Sequence, residues 1–338
     1  MHSTAFDGSL VHKHFSHIYI EKGAENYPDT RLLLDKYPHA VHIVINDYKD
    51  VFNRPNQRFQ FQKRSMKLIL AVKKDRFFYE ASDQVQNFDH RHRYYNSLIL
   101  NCIYNCDYCY LQGMYPSANV VVFVNSSDFF ESTKKQLSLH PMYLCISYDT
   151  DLLAFEHVVP FCSRWISFAS EEHDLTIELR TKSVNYKSIA HLKPASNVIL
   201  AWTISPQEII DAYEKGTPSL KSRLGAVESA LKDGWPVRLC FDPVIRTEGW
   251  EEIYSACVKE TFSRIPAEGV SDVSLGVFRM NSEYLQRIQK QRTDSDLLYY
   301  PFETNGKTIS YPASERERMI GFMTDTLQAY IPKEKIFL

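Results

Sequence analysis

From residue 97 onward the chain repeats one pattern, a short apolar run rich in β-formers followed by a longer amphipathic segment. The runs are SLILN (97–101), MYLCISY (142–148), LTIELRT (175–181), VILAWTI (198–204), VRLCFDPV (237–244) and DVSLGVF (272–278). Between them, Ser219 to Asp233 places Leu220, Leu224, Val227 and Leu231 on one helical face, with Ser219 able to cap the start and Gly234 to close the end. Six strands alternating with helices predict an α/β fold, a parallel sheet curled into a partial (β/α)6 TIM-like barrel over 93–278. The run NVVVFVN (119–125) reads as an extension beside the first strand. Residues 1–92, with HIYIE, AVHIVIN (40–46), KLILAV (67–72) and the amphipathic TRLLLDKY, read as a small N-terminal α/β flank. Over 279–338 the rhythm stops, and Asn305-Gly306 between β-prone arms signals a hairpin, followed by a helical region.

No stretch approaches the roughly 18 apolar residues of a membrane span, and the start MHSTAFDGSLVHKHF lacks the regions of a signal peptide. These features lead us to expect a cytoplasmic protein without membrane contact. The net charge of -2 does not advertise a polyanion partner for the whole molecule, although it leaves room for a local basic face. Seven cysteines, three of them within eight residues, fit a metal site in a reducing compartment better than a disulfide scaffold. Cys102, Cys106 and Cys109 follow the first expected barrel strand, so their loop lies at the strand end where barrel sites are built. Thiolates are the preferred ligands of iron–sulfur clusters, and three of them on a four-iron cluster leave one iron open. A zinc knuckle is the alternative, but it pairs CxxC with a second Cys or His pair, and none follows here. Cys145, Cys162, Cys240 and Cys257 are scattered, mostly in apolar segments where a thiol acts as a small hydrophobe.

The order CxxxCxxC, with an aromatic before the last cysteine, resembles the signature of the radical S-adenosylmethionine (SAM) enzymes. CDYCYLQ, NVVVFVN, EKGTPSLKSRL (214–224), DPVIRTEGW (242–250) and YIEKGAENYP together resemble the spore photoproduct lyase family, in the right order across most of the chain. The resemblance implies a [4Fe–4S] cluster with SAM, and an electron donor such as flavodoxin or ferredoxin. It also implies a lyase that uses a 5′-deoxyadenosyl radical to break the methylene bridge of a thymine dimer in UV-damaged DNA. Residue by residue, it places Tyr108 near the adenosyl group and Tyr110 on the path of the returning hydrogen. Lys182 corresponds to the lysine that holds the SAM carboxylate, Thr203 and Thr150 stand where the family has serines, and Asp242 falls at the adenosine pocket.

The departures concern the hydrogen donor and the DNA contacts. Where one branch of the family has a donor cysteine, at the end of the second barrel strand, this chain has Tyr148; residues 86–95 contain no cysteine for the other branch. Cys145 lies three residues earlier, an odd offset expected to point it to the opposite face unless a bulge intervenes. A relay of Tyr148 with Tyr108 or Tyr110 is therefore expected to return the hydrogen. Residues 54–74 contain seven basic and no acidic residues, with Phe59 and Phe61 interleaved, and suggest phosphate contacts through Arg58, Lys63 and Arg64; the alternative is a guarded strand edge. The expected hairpin resembles the family's DNA wedge, with Lys307 matching a basic residue and Phe302 and Glu303 departing from the pattern. Two other readings stay open: a radical SAM enzyme acting on another nucleotide or RNA, and a non-catalytic nucleic-acid-binding protein with a structural metal.

Overall fold

A computed structural model describes residues 15–82 and 86–338. The chain start, expected to carry no signal peptide, lies outside the described residues. The larger of two main sheets has eight strands. Its parallel strands run in the order Arg93–Tyr95, Met142–Cys145, Leu175–Thr181, Val198–Thr203, Val237–Val244, Val270–Val277 and Ile336–Phe337, with Tyr79–Glu80 antiparallel at the outer edge. Helices connect most of the consecutive parallel strands, and the sheet curls into the expected partial barrel.

The second sheet is ordered Val41–Ile45, His17–Glu21, Leu68–Ala71, Val120–Phe123 and Ile99–Leu100, the last antiparallel to its neighbour. This corrects one strand assignment. The run 97–101 supplies an edge of the flanking sheet, and the first barrel strand is the shorter Arg93–Tyr95. An apolar run covered on both faces gives no periodicity that says which sheet it joins; its partner here is the fully buried Val120–Phe123. The run 119–125 does lie beside it, as expected. The basic stretch 54–74 is no guarded edge either, because Leu68–Ala71 lies between two neighbours inside the sheet.

The helix Leu220–Lys232 buries Leu220, Leu224 and Val227, and the Ser219 hydroxyl accepts from the Ser222 amide at 3.3 Å. Gly234 follows at φ 92°, the left-handed conformation in which glycine has no Cβ to clash. At the other end of the chain, Gly306 at φ 60° turns Glu303–Asn305 back onto Thr308–Ser310, and Arg279–Asn281 completes a three-stranded sheet.

The hydrophobic core is continuous from Phe15 to Ile331 and includes the fully buried Trp165 and Trp202. Two arginines are buried with it, Arg223 at 0% and Arg238 at 1% exposure. Charges so deep need partners to offset lost hydration. Arg238 finds Glu178, Tyr143 and Asp272, and its guanidinium lies 3.3 Å from the centre of the Phe88 ring.

Candidate active site

The strand Ile99–Leu100 ends in Asn101, which turns at φ 71° while its side-chain amide donates to the carbonyls of Ser117 and Asn119 at 2.7 and 2.8 Å. Asparagine tolerates this left-handed conformation when its side chain bonds locally. The chain then passes Cys102, pairs Asn105–Cys106 antiparallel with Glu214–Lys215, and turns at Cys109, whose amide donates to the Cys106 carbonyl at 3.1 Å. The result is a loop at the barrel mouth whose three thiols face one cavity of about 540 Å³.

That cavity collects the remaining expected residues. Tyr108, Tyr110, Cys145 and Tyr148 line it, and so do Thr150, Lys182, Thr203 and Asp242. All seven cysteines are free thiols. Burial pushes the Cys102 thiol up to about 12 and also raises Cys106 and Cys109, while Lys63, Lys182 and Arg292 oppose that rise. Thiolates therefore form here when a bound cation stabilises them, as metal coordination does. Among the described residues, no three Cys, His, Asp or Glu side chains are grouped to hold a single metal ion. The three thiols on one cavity, with the cations Lys63, Lys182 and Arg292 around them, are the residues that would hold a [4Fe–4S] group.

One wall is built on Glu214, which pairs with Arg223 and accepts from the Tyr108 hydroxyl and from Ser205 Oγ at 2.9 Å. Lys182 stands over the Tyr108 ring at 5.6 Å. Burial works against the charge on Lys182, but Glu214 and neighbouring acidic groups outweigh it and raise its pKa, so it stays an ammonium. Asp151 fixes the end of the same strand, accepting from Thr181 Oγ1 and from the Lys182 amide, each at 2.6 Å. Thr150 donates to the Asn101 carbonyl at 2.9 Å, and the Thr203 carbonyl accepts from Arg223 at 3.1 Å. Burial alone would raise the Asp242 carboxyl, but Arg279, at 2.9 and 3.2 Å, and Arg180 hold it low.

The opposite wall overturns the expectation for Cys145. Tyr143, Cys145 and Ser147 line the cavity, whereas Leu144 and Ile146 belong to the hydrophobic core. The strand stops at Cys145, and Tyr148 lies beyond it in a turn, so strand parity no longer relates the two. Both side chains face the cavity without a bulge. The Tyr148 ring stacks on Tyr95 at 4.1 Å, and the Tyr110 hydroxyl donates to the Tyr148 carbonyl at 2.7 Å.

The expected DNA contacts separate. Arg58 and Arg64 are exposed, but the amino group of Lys63 donates to the carbonyls of Cys102 and Tyr104, the second at 2.8 Å, so Lys63 is spent inside the protein. Phe59 is buried and only Phe61 is open, at 69% exposure. Lys307 is exposed on the hairpin. Phe302 packs against Phe278, Tyr300 and Tyr311, and Glu303 accepts from the Ala313 amide at 3.0 Å; neither is arranged as a wedge.

Sequence reasoning assigned no role to Glu214, Arg223, Asp151 or Arg292. Glu214 and Arg223 stand in the segment 214–224 that carried the family resemblance, the one signal that pointed at them. Arg292 had none.

The family model for spore photoproduct lyase matches residues 14–336. A spore photoproduct lyase of Bacillus subtilis (strain 168) is 23% identical over 266 residues, covering 76% of this chain and 75% of the relative. That of Geobacillus sp. (strain Y412MC61) is 22% identical over 288 residues, 81% of each chain. A solved structure of a doubly substituted spore photoproduct lyase with bound AdoMet and dinucleoside spore photoproduct superposes with a TM-score of 0.80 at 19% identity, covering 94% of this chain and 96% of the other.

Proposed function

Because the chain belongs to the spore photoproduct lyase family, we propose that it is a radical SAM lyase that repairs spore photoproduct in DNA, with Cys102, Cys106 and Cys109 holding a [4Fe–4S] cluster. The observation that carries this reading is the convergence of three thiols, an ammonium, a further thiol and a tyrosine array on one cavity at the barrel mouth. When bound, the cluster and SAM supply a 5′-deoxyadenosyl radical from one electron, delivered by a donor such as flavodoxin or ferredoxin. Lys182 would meet the SAM carboxylate with a charge-assisted hydrogen bond, and the charge of Glu214 favours its ammonium form. Thr150, Thr203 and Asp242 would border the nucleoside.

The chain's own residues must then return one hydrogen atom to the product after the methylene bridge breaks. Cys145 and Tyr148 face the cavity, and a thiol gives up a hydrogen atom more readily than a phenol. Cys145 is therefore the donor in this reading, and the thiyl radical it leaves would regain a hydrogen atom from the 5′-deoxyadenosine that first took one from the lesion, which restores the thiol. Tyr148, held between Tyr95 and Tyr110, would position the lesion and relay the hydrogen only secondarily. The lesion has to leave the base stack to enter the barrel, at a cost of a few kcal/mol that damaged bases reduce.

No helix among the described residues is long and apolar enough to cross a membrane, and seven free cysteines suit the cytoplasm. The hairpin favours one second reading. With Phe302 packed away and Glu303 bonded to a helix start, the tip offers Lys307 alone to a phosphate, which suits a substrate presented outside a duplex, such as another nucleotide or RNA. Reduced, reconstituted enzyme incubated with SAM and UV-irradiated DNA decides between them: spore photoproduct should disappear and thymine return. SAM cleavage without lesion-dependent turnover would move the assignment to the second reading.

A further inference from the structure

Lys63 lies at the end of the short helix Phe59–Lys63, outside the barrel, and does not line the cavity. Its amino group nevertheless reaches the carbonyls of Cys102 and Tyr104, some forty residues away in sequence. The same helix sends Gln60 to the loop. Its amide donates to Gln112 at 2.5 Å, and its carbonyl oxygen accepts from Asn105 at 3.1 Å. From the far end of the chain Arg292, 3% exposed, donates to Asp107 and to Gln112, each at 2.7 Å, and to the Asn105 carbonyl at 2.9 Å. Gln112 in turn donates to the Cys106 carbonyl at 2.6 Å. The loop that carries the three thiols is thus gripped from two sides, and each grip carries one cation.

We propose that Lys63 is a positioning residue for the cluster-binding loop, and that its ammonium raises the reduction potential of the cluster held there. The inference rests on the cluster reading of Cys102, Cys106 and Cys109. An ammonium held on the Cys102 and Tyr104 carbonyls lies beside the loop that carries the three thiols, and its positive charge would favour the negative charge added when the group they hold gains an electron. Lys63 holds this place through main-chain carbonyls, so the effect depends on its charge and reach and on no cysteine side chain.

The test compares the wild type with Lys63→Met, Lys63→Gln and Lys63→Arg, and with Lys135→Met as an exposed charge control. Each is reconstituted anaerobically, assayed for iron and sulfide, and titrated electrochemically with the reduced cluster followed by electron paramagnetic resonance. The Met and Gln variants should have midpoint potentials more negative by at least about 59 mV, tenfold in a one-electron equilibrium. Arg should recover most of that shift, and the Lys135 variant should match the wild type. If a Met or Gln variant takes up no cluster while its cluster-free protein melts like the wild type and Arg loads normally, the positioning role is supported directly. Wild-type potential and loading in both neutral variants would overturn the inference. A wild type that assembles no four-iron cluster would instead sink the functional reading beneath it.

Discussion

Glu214 offers the sharpest test of how the site is held together. Its side chain and that of Arg223 are both fully buried, and the carboxylate also takes the hydroxyls of Tyr108 and Ser205. Glu214→Gln keeps the shape, removes the charge, and turns an amide that can donate toward a guanidinium that can only donate. Breaking a buried pair from one side costs about 3–5 kcal/mol, because the remaining charge is left without compensation. Ionisation gives a second route to the magnitude. Burial pushes the carboxyl up, but Arg223 and Lys182 outweigh it and hold it at about 2 instead of 4.5. A depression of that size corresponds to about 3 kcal/mol of folded-state stabilisation. The two routes agree, and at roughly 1.4 °C per kcal/mol for a chain of this length the variant should melt about 5 °C below the wild type at neutral pH. The sign in acid follows from the depressed value. Glu214's contribution is complete above its unfolded pKa and is lost as pH falls from about 4.5 toward about 2, so the gap between wild type and variant should close over that window. Urea unfolding of both proteins across pH checks this. A gap below about 1 kcal/mol at pH 7, or one that does not narrow in acid, would mean that the carboxylate carries no charge in the fold.

Three further outcomes follow from the site. Replacing Cys102, Cys106 or Cys109 singly with Ala should abolish the brown chromophore or leave it unable to cleave SAM, and full cleavage by all three variants would remove the cluster assignment. Lys182→Ala should weaken SAM binding by about 1.5–3 kcal/mol, the worth of a charge-assisted hydrogen bond; an unchanged dissociation constant would make the lysine a bystander. Cys145→Ala should stop clean repair and accumulate adducts of the thymine radical while Tyr148→Phe repairs more slowly but cleanly; the reverse pattern would return the donor role to the tyrosine.

The sequence made the barrel legible because five of its strands are long enough to read as separate runs with helices between them. It misled at SLILN for a reason of physics. Val120–Phe123 offered that run a fully buried partner in the other sheet, and neither hydrophobicity nor length distinguishes the two pairings. The three clustered cysteines were legible as a candidate ligand set because they lie within eight residues, where spacing alone carries geometry. Cys145 was misplaced because period-two counting was extended past the end of its strand, into the turn that holds Tyr148. The basic run around Lys63 looked like a surface for phosphate because composition reports charge but not reach. A lysine stem is long enough to cross from a flanking helix to another segment's carbonyls, and nothing local marks which lysine will do so.

The same contacts change how the parts depend on one another. The boundary expected near residue 92 divides two patterns of hydrophobicity, yet the flanking sheet is completed by Val120–Phe123 and Ile99–Leu100, and the latter strand leads directly into Asn101 and Cys102. The loop that carries the three thiols therefore springs from the flanking sheet. The barrel reaches it from the other side through Glu214–Lys215, paired with Asn105–Cys106, and the C-terminal region reaches it through Arg292. A chain cut to 93–278 would keep every thiol and Lys182. It would lose Gln60, Lys63, the strand Leu68–Ala71 that Val120–Phe123 pairs with, and Arg292. The three thiols are local in sequence, but the loop that brings them to one cavity is held from three regions of the chain, and its stability is shared among all three.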